Sequence, residues 1–197
     1  MKKKYLISLI ISFILFIALT IFIIVNNNLT FEYNIFKFIN GNNSLYTFFR
    51  IITELGEWYS YVVIVILIFI FKRKYSYVLT ASILASTLLN NALKLLFMRE
   101  RPTWKLYSPH GYSYPSGHAM SSLAFYGLII YLIIKYYKGK GKKIIIGLIS
   151  LLIFIIGISR IYLGVHYFTD VIGAYLFDIG YLIIFITLIE NKQLIKE

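Results

Sequence analysis

Eight residues between Lys94 and Asp170 have types and spacings that could do chemistry. Lys94 and Arg101 stand seven apart, nearly two helical turns, so both cations can project from one face of a helix that Pro102 would stop at about Arg101. A lysine near the end of an apolar helix is costly unless it snorkels, pairs or binds something. The second group is Tyr114-Pro115-Ser116-Gly117-His118, directly before an apolar run. Ser116 is a plausible N-cap, and free N–H groups at such a helix start bind phosphate. Gly117 permits close backbone approach, and His118 falls in the first turn. Capping accounts for Ser116 but not for His118. The third group runs from Ser159 to Asp170. Arg160 offers a fork of donors suited to phosphate oxygens. His166 and Asp170 are four apart, hence neighbours if that segment is helical. A carboxylate on one imidazole nitrogen fixes the tautomer and aims the other outward as a base or nucleophile.

Each group alone has a plain reading: snorkelling cations, a helix cap, a structural His–Asp pair. Together they supply three cations, two histidines, a carboxylate and a helix N-terminus, a set suited to an anion with several oxygens such as a phosphoryl group. No grouping of acids suits magnesium or calcium, and no third histidine has zinc-ligand spacing. The absence of cysteine excludes a disulfide framework, a thiol nucleophile and thiolate-held metals. No cofactor is expected. The metal-free route is covalent catalysis through an imidazole, with cations clamping the equatorial oxygens.

The elements that must position these residues are apolar. The 197-residue chain is 59% hydrophobic and only 14% charged, against about 25% in a soluble domain. That excludes a disordered chain, a collagen-like chain and an ordinary soluble enzyme, and points to one multi-span membrane domain covering 1–197. Six apolar stretches run roughly Tyr5–Val25, Ile52–Phe71, Tyr75–Phe97, Ala119–Tyr137, Ile144–Ser159 and Val171–Ile189. Helices are expected for all six, because lipid leaves no backbone group unpaired. Glu54 and Glu57 put the outer end of the second at the interface. The first stretch follows Met-Lys-Lys-Lys like a signal peptide. Its length, and the lack of a small-x-small site after Val25, favour a retained helix. Between the first two spans, 26–51 suggests a short amphipathic helix on the outer leaflet, broken at Gly41-Asn42-Asn43, and a second short helix from Ser44 towards Thr53. The fold class is therefore all-α, a six-transmembrane bundle with a short amphipathic segment.

Basic residues set the orientation. Thirteen lie on the side that holds both termini, including Lys2–Lys4, Lys72–Lys74, the 135–143 lysines, Lys192 and Lys196, against seven on the other. The positive-inside rule makes that side cytoplasmic and the three chemical groups extracytoplasmic. The net charge of +12 then reflects lysines facing anionic headgroups, and no nucleic-acid partner is expected.

With these groups in place, the sequence resembles the type 2 phosphatidic acid phosphatase superfamily, which includes lipid phosphate phosphatases, bacterial phosphatidylglycerophosphate and undecaprenyl diphosphate phosphatases, glucose 6-phosphatase and vanadium haloperoxidases. Its three-part signature is matched without departure by Lys94 to Arg101-Pro102, by Pro115-Ser116-Gly117-His118, and by Ser159-Arg160 to His166 and Asp170. The resemblance implies that His166 attacks phosphorus, Asp170 holds it in its reactive tautomer, and His118 protonates the leaving oxygen. Lys94, Arg101, Arg160, Ser116 and Gly117 would hold the phosphoryl oxygens. A neutral His166 and a protonated His118 together imply a bell-shaped pH profile. The implied partner is a lipid phosphate or diphosphate. A phosphotransferase, or a transporter without turnover, are the competing readings; no signal speaks to an oligomeric state.

Other residues have plainer readings. His110 is expected in a solvated loop. Asn90 is expected to hydrogen-bond near Lys94, Asn91 to pack against a helix, and Asp178 to pair inside the bundle. Trp58 and Trp104 are expected to anchor at the interface, Tyr112 and Tyr114 to line an entrance, and Arg99 to pair with Glu100 at the surface.

Overall fold

The computed structural model describes residues 3–26, 29–41 and 43–195. Lys2 and Lys196, counted above for orientation, lie outside the described residues, as do Asn27, Asn28 and Asn42. Seven helices follow in chain order, and no strand occurs among the described residues: α1 Lys3–Val25, α2 Leu29–Asn40, α3 Tyr46–Glu54, α4 Trp58–Phe97, α5 Gly117–Tyr136, α6 Lys142–Tyr162 and α7 Phe168–Asn191. Four of them, α1, α5, α6 and α7, are long and apolar enough to cross a membrane.

The expected second and third spans fall within α4, which runs for 40 residues and kinks at Lys72, where the backbone leaves the helical region (φ −148, ψ 69). The second span starts at Trp58 rather than Ile52, because α3 ends at Glu54 and a turn over 55–57 separates the two. α4 stops at Phe97, with Met98 left-handed and its N–H returned to the Lys94 carbonyl. Arg101 is therefore in a loop, and the expectation that it shares a helical face with Lys94 is not met.

α5 sits centrally, packed on α4, α6 and α7, while α1 lies along α7. The core is aromatic and aliphatic: Tyr61, Leu79, Phe125, Leu128, Ile156 and Leu182 come from four different helices. Asp178 is fully buried there and accepts a hydrogen bond from Ser86 at 3.1 Å, which gives one of its oxygens a partner. The outer amphipathic helix exists as α2, but it does more than lie along an interface. It packs on α6 and α7, and its acidic residue Glu32 is buried.

Candidate active site

Three chain segments meet where α4 ends and α5 and α7 begin. The loop ahead of α5 is tied to α7 by the Ser116 N–H on the Asp170 carbonyl (3.1 Å), and to α4 by Asn90, whose amide donates to the Pro115 carbonyl (3.1 Å). Asn90 thus serves the second group rather than Lys94. The loop ahead of α7 turns through Gly164 at φ +66, where a Cβ would stand 2.8 Å from the Trp104 carbonyl, so glycine is required on both counts. Beyond that turn the Val165 and His166 N–H groups both return to the Arg160 carbonyl (3.2 Å each).

His166 is 3% exposed and Asp170 fully buried. They do not meet as successive turns of a helix: His166 precedes α7, and Asp170 is the third residue of α7, capping the Tyr167 N–H at 2.9 Å. Asp170 Oδ2 also faces His166 Nδ1 at 3.3 Å and accepts from the Ser113 hydroxyl. The other ring nitrogen, Nε2, lies 3.1 Å from Arg101 Nη1. A guanidinium has no acceptor, so Nε2 must carry the lone pair and Nδ1 the proton. Burial holds the His166 ring well below the ordinary histidine value, with Lys94 and Arg101 acting in the same direction against Asp170. The ring is neutral at physiological pH.

The cations are fixed from different directions. Arg101 also donates to the carbonyls of Val165 (2.9 Å), Gly111 (2.8 Å) and His110 (3.0 Å), and burial pushes it down to about 10, still charged. Lys94 donates to the carbonyls of Tyr112 and Ser113. Arg160, 2% exposed, donates to Thr53 of α3. Glu57, just ahead of α4, brings Oε1 within 3.1 Å of His118 Nε2, a contact that is ionic when the ring is protonated. That contact holds the Glu57 carboxyl below the usual carboxylate range.

Four buried side-chain atoms among the described residues lack a hydrogen-bond partner: Ser116 Oγ, His118 Nε2, Arg160 Nε and Asp178 Oδ2. Three of the four belong to residues singled out in the sequence. Ser116 is indeed the N-cap residue of α5, yet its hydroxyl makes no capping bond. Buried polar atoms are normally satisfied, so unpartnered ones on Ser116 and Arg160, with a third on His118 met only by Glu57, suit an oxygen-rich ligand. Gly117 opens α5, and the N–H groups of its first turn precede the first intrahelical bond. A cavity of about 160 Å³, lined by Glu57, Tyr61, Ser86, Asn90, His118 and Ser121 among others, adjoins His118. A larger apolar groove of about 790 Å³ lies around Lys72 and Tyr136, away from these groups.

The PAP2 superfamily model matches residues 59–194. The chain belongs to that superfamily. It is 31% identical over 202 residues to an undecaprenyl-diphosphatase of Sulfolobus acidocaldarius, covering 93% of this chain and 92% of that one. It is 38% identical over 102 residues to phosphatidylglycerophosphatase B of Bacillus subtilis; this match spans 50% of the chain and 49% of that relative, about half its length. Among solved structures, the transmembrane PAP2-type phosphatidylglycerolphosphate phosphatase of Bacillus subtilis superposes with a TM-score of 0.84 at 26% identity, over 93% of this chain and 96% of that one. Aquifex aeolicus LpxE gives a TM-score of 0.61 at 28% identity, over 77% and 93%.

Some participants were missed in the sequence of this PAP2 protein. Arg99 does not pair with its neighbour Glu100. It reaches Asp170 Oδ1 at 2.6 Å and Glu32 Oε1 at 3.5 Å. Ser113, Thr53 and Glu57 also touch the signature residues, and no local spacing announces them. Tyr114 lines no entrance: it is 1% exposed, exchanges a hydrogen bond with Thr20 of α1 (2.7 Å) and stacks on Phe16. Asn91 is exposed, and Trp104 packs on Tyr33, Phe36 and Tyr167.

Proposed function

We propose that this PAP2 protein is an integral membrane lipid phosphatase working through a phosphohistidine, without a metal or other cofactor. The observation that carries the reading is the environment of His166: a neutral, buried imidazole with a carboxylate behind Nδ1 and a guanidinium in front of Nε2. The Nε2 lone pair attacks phosphorus as the bond from phosphorus to the lipid oxygen breaks. His118 gives that oxygen its proton. Water then attacks phosphorus while His118 takes its proton, the phosphorus–nitrogen bond breaks with its electron pair returning to Nε2, and inorganic phosphate leaves. Arg101 moves from Nε2 onto a phosphoryl oxygen, beside Lys94, Arg160 Nε, the Ser116 hydroxyl and the Gly117 N–H. The negative charge that accumulates on the equatorial oxygens is what these donors stabilise.

Six crossings, with α4 contributing two, put both termini in the cytoplasm and the site at the outer face by the excess of lysine on the opposite side. A site between helix ends lets the acyl or prenyl tail stay in hydrocarbon while its phosphate enters the polar pocket. The leading substrates are undecaprenyl diphosphate and phosphatidylglycerophosphate, the first favoured by the outward site. The test is the purified chain, with chelator present, against these two lipids, phosphatidate and a soluble phosphate ester. Release of free phosphate from a lipid without any acceptor supports hydrolysis. Turnover only with an added acceptor makes the protein a phosphotransferase, and loss of activity in chelator contradicts the mechanism.

A further inference from the structure

Asp170 is held at both oxygens, and the group that holds the second one lies outside the signature. Oδ2 is crowded by the Tyr167 N–H, the Ser113 hydroxyl and His166. Oδ1 receives Arg99 Nη1 at 2.6 Å. Rotation about the Cβ–Cγ bond moves both oxygens, so the partners on Oδ2 and Arg99 on Oδ1 oppose it together, and Arg99 is the charged one on the second oxygen.

Arg99 is itself fixed on three sides. Nη1 also donates to Thr169 Oγ1 at 2.8 Å, Nη2 stands 3.5 Å from Glu32 Oε1, and the guanidinium lies over the Tyr167 ring at 4.0 Å. Glu32, 5% exposed, accepts the Phe168 N–H (2.9 Å) and the Thr169 hydroxyl. These donors open α7, where the helix dipole favours an anion. One guanidinium thus bridges two buried carboxylates, one on the outer helix α2 and one on the helix carrying the catalytic aspartate. A buried charge pair on the surface side of a fold need not add stability, but removing the shared cation strands both anions.

We propose that Arg99, held by Glu32 of α2, is a positioning residue that fixes Asp170 against His166, which makes α2 a working part of the active site. This rests on the phosphatase reading of His166 given above. Glu32 also caps the first turn of α7, but its effect on the rate runs through Arg99, and that of Arg99 through Asp170; neither touches the substrate.

The test uses the purified 197-residue chain and a lipid phosphate labelled in its phosphoryl group. Rapid quenching gives the burst amplitude, which counts competent sites, and the rate constant of phosphorylation per competent site. Arg99→Gln lowers that rate constant about tenfold to a hundredfold, as expected for a misaligned reacting pair, with KM unchanged. Arg99→Lys recovers a large part. Glu32→Gln gives a smaller loss, and the double variant is no slower than Arg99→Gln alone. A structural staple would instead lower burst amplitude and melting temperature while each remaining site reacts at the unaltered rate; that result overturns the proposal. Additive losses overturn the role given to Glu32. Should Arg99→Gln not fold, Glu32→Gln carries the test, and an unaltered rate per site there overturns the proposal. Failure of the unaltered chain to release free phosphate from any lipid phosphate would remove the phosphatase reading itself.

Discussion

Replacing Gly56 by alanine should slow proton donation by His118 while leaving the nucleophile alone. Gly56 lies in the turn between α3 and α4 and is buried. A Cβ there would stand 3.0 Å from His118 Cδ2, 3.0 Å from Ile156 Cγ2 and 3.3 Å from the Thr53 carbonyl. Ordinary contact begins at 3.4 Å, so a neighbour must yield by about 0.4 Å. The Thr53 oxygen is backbone and Ile156 is fully buried, whereas the His118 ring adjoins a cavity of about 160 Å³. The ring is the part that moves. A misplacement of 1 Å costs roughly a hundredfold in rate, so 0.4 Å scales to about sixfold. Overpacking also lowers stability by about 1–3 kcal/mol. The assay is therefore a ratio, the rate of phosphoenzyme formation from a lipid phosphomonoester over that from an aryl phosphate, in which any loss of folded protein cancels. The alkoxide that leaves from a phosphomonoester such as phosphatidate needs the proton and the aryl leaving group does not. The ratio should fall about sixfold. An equal loss on both substrates, or no loss on either, would refute the reasoning.

Three further outcomes follow from the same contacts. Asn90→Leu removes the amide that holds the Pro115 carbonyl and should lower stability by about 1–3 kcal/mol, read in thermal unfolding, with a lower rate on every substrate. On the proposed mechanism His166 reacts as the neutral ring, and its burial disfavours the charged one, so the reactive form persists as pH falls below the ordinary histidine value of about 6.5. With the substrate's own ionisation divided out, phosphoenzyme formation should stay on its plateau there, and a sigmoidal loss centred near that pH would contradict the assignment. Vanadate, as a phosphate mimic, should compete with substrate and raise KM without changing kcat; noncompetitive inhibition would place it elsewhere.

What could be read from the sequence was whatever residue type and local spacing determine. Lys94, Arg101, Ser116, His118, Arg160, His166 and Asp170 stood out because catalysis on phosphate needs those side chains, and the apolar runs announced α1, α5, α6 and α7 within a few residues. The lysine-rich stretch 72–74 looked like a loop, yet the chain passes it in a helix with one non-helical residue, because two helical limbs can share a kink. Arg99 was read beside Glu100 because adjacent charges are all that a sequence displays. Its real partner is 71 residues away, brought close only when α7 starts beside the end of α4. Glu57 was read as an interfacial charge for the same reason: its worth depends on which helix end it meets. Tyr114 misled because an aromatic before a glycine-containing loop looks like a rim residue, whereas α1, packed along α7, closes over it.

The central claim is that phosphorus becomes bonded to His166. Mixing the purified chain with a lipid phosphate labelled in its phosphoryl group, quenching in alkali and locating the label by peptide mass spectrometry tests it directly. A label on the peptide bearing His166, stable to base, lost in mild acid and absent from His166→Ala, is the expected result. A label on His118, or single-turnover hydrolysis as fast in His166→Ala as in the unaltered chain, would contradict the account.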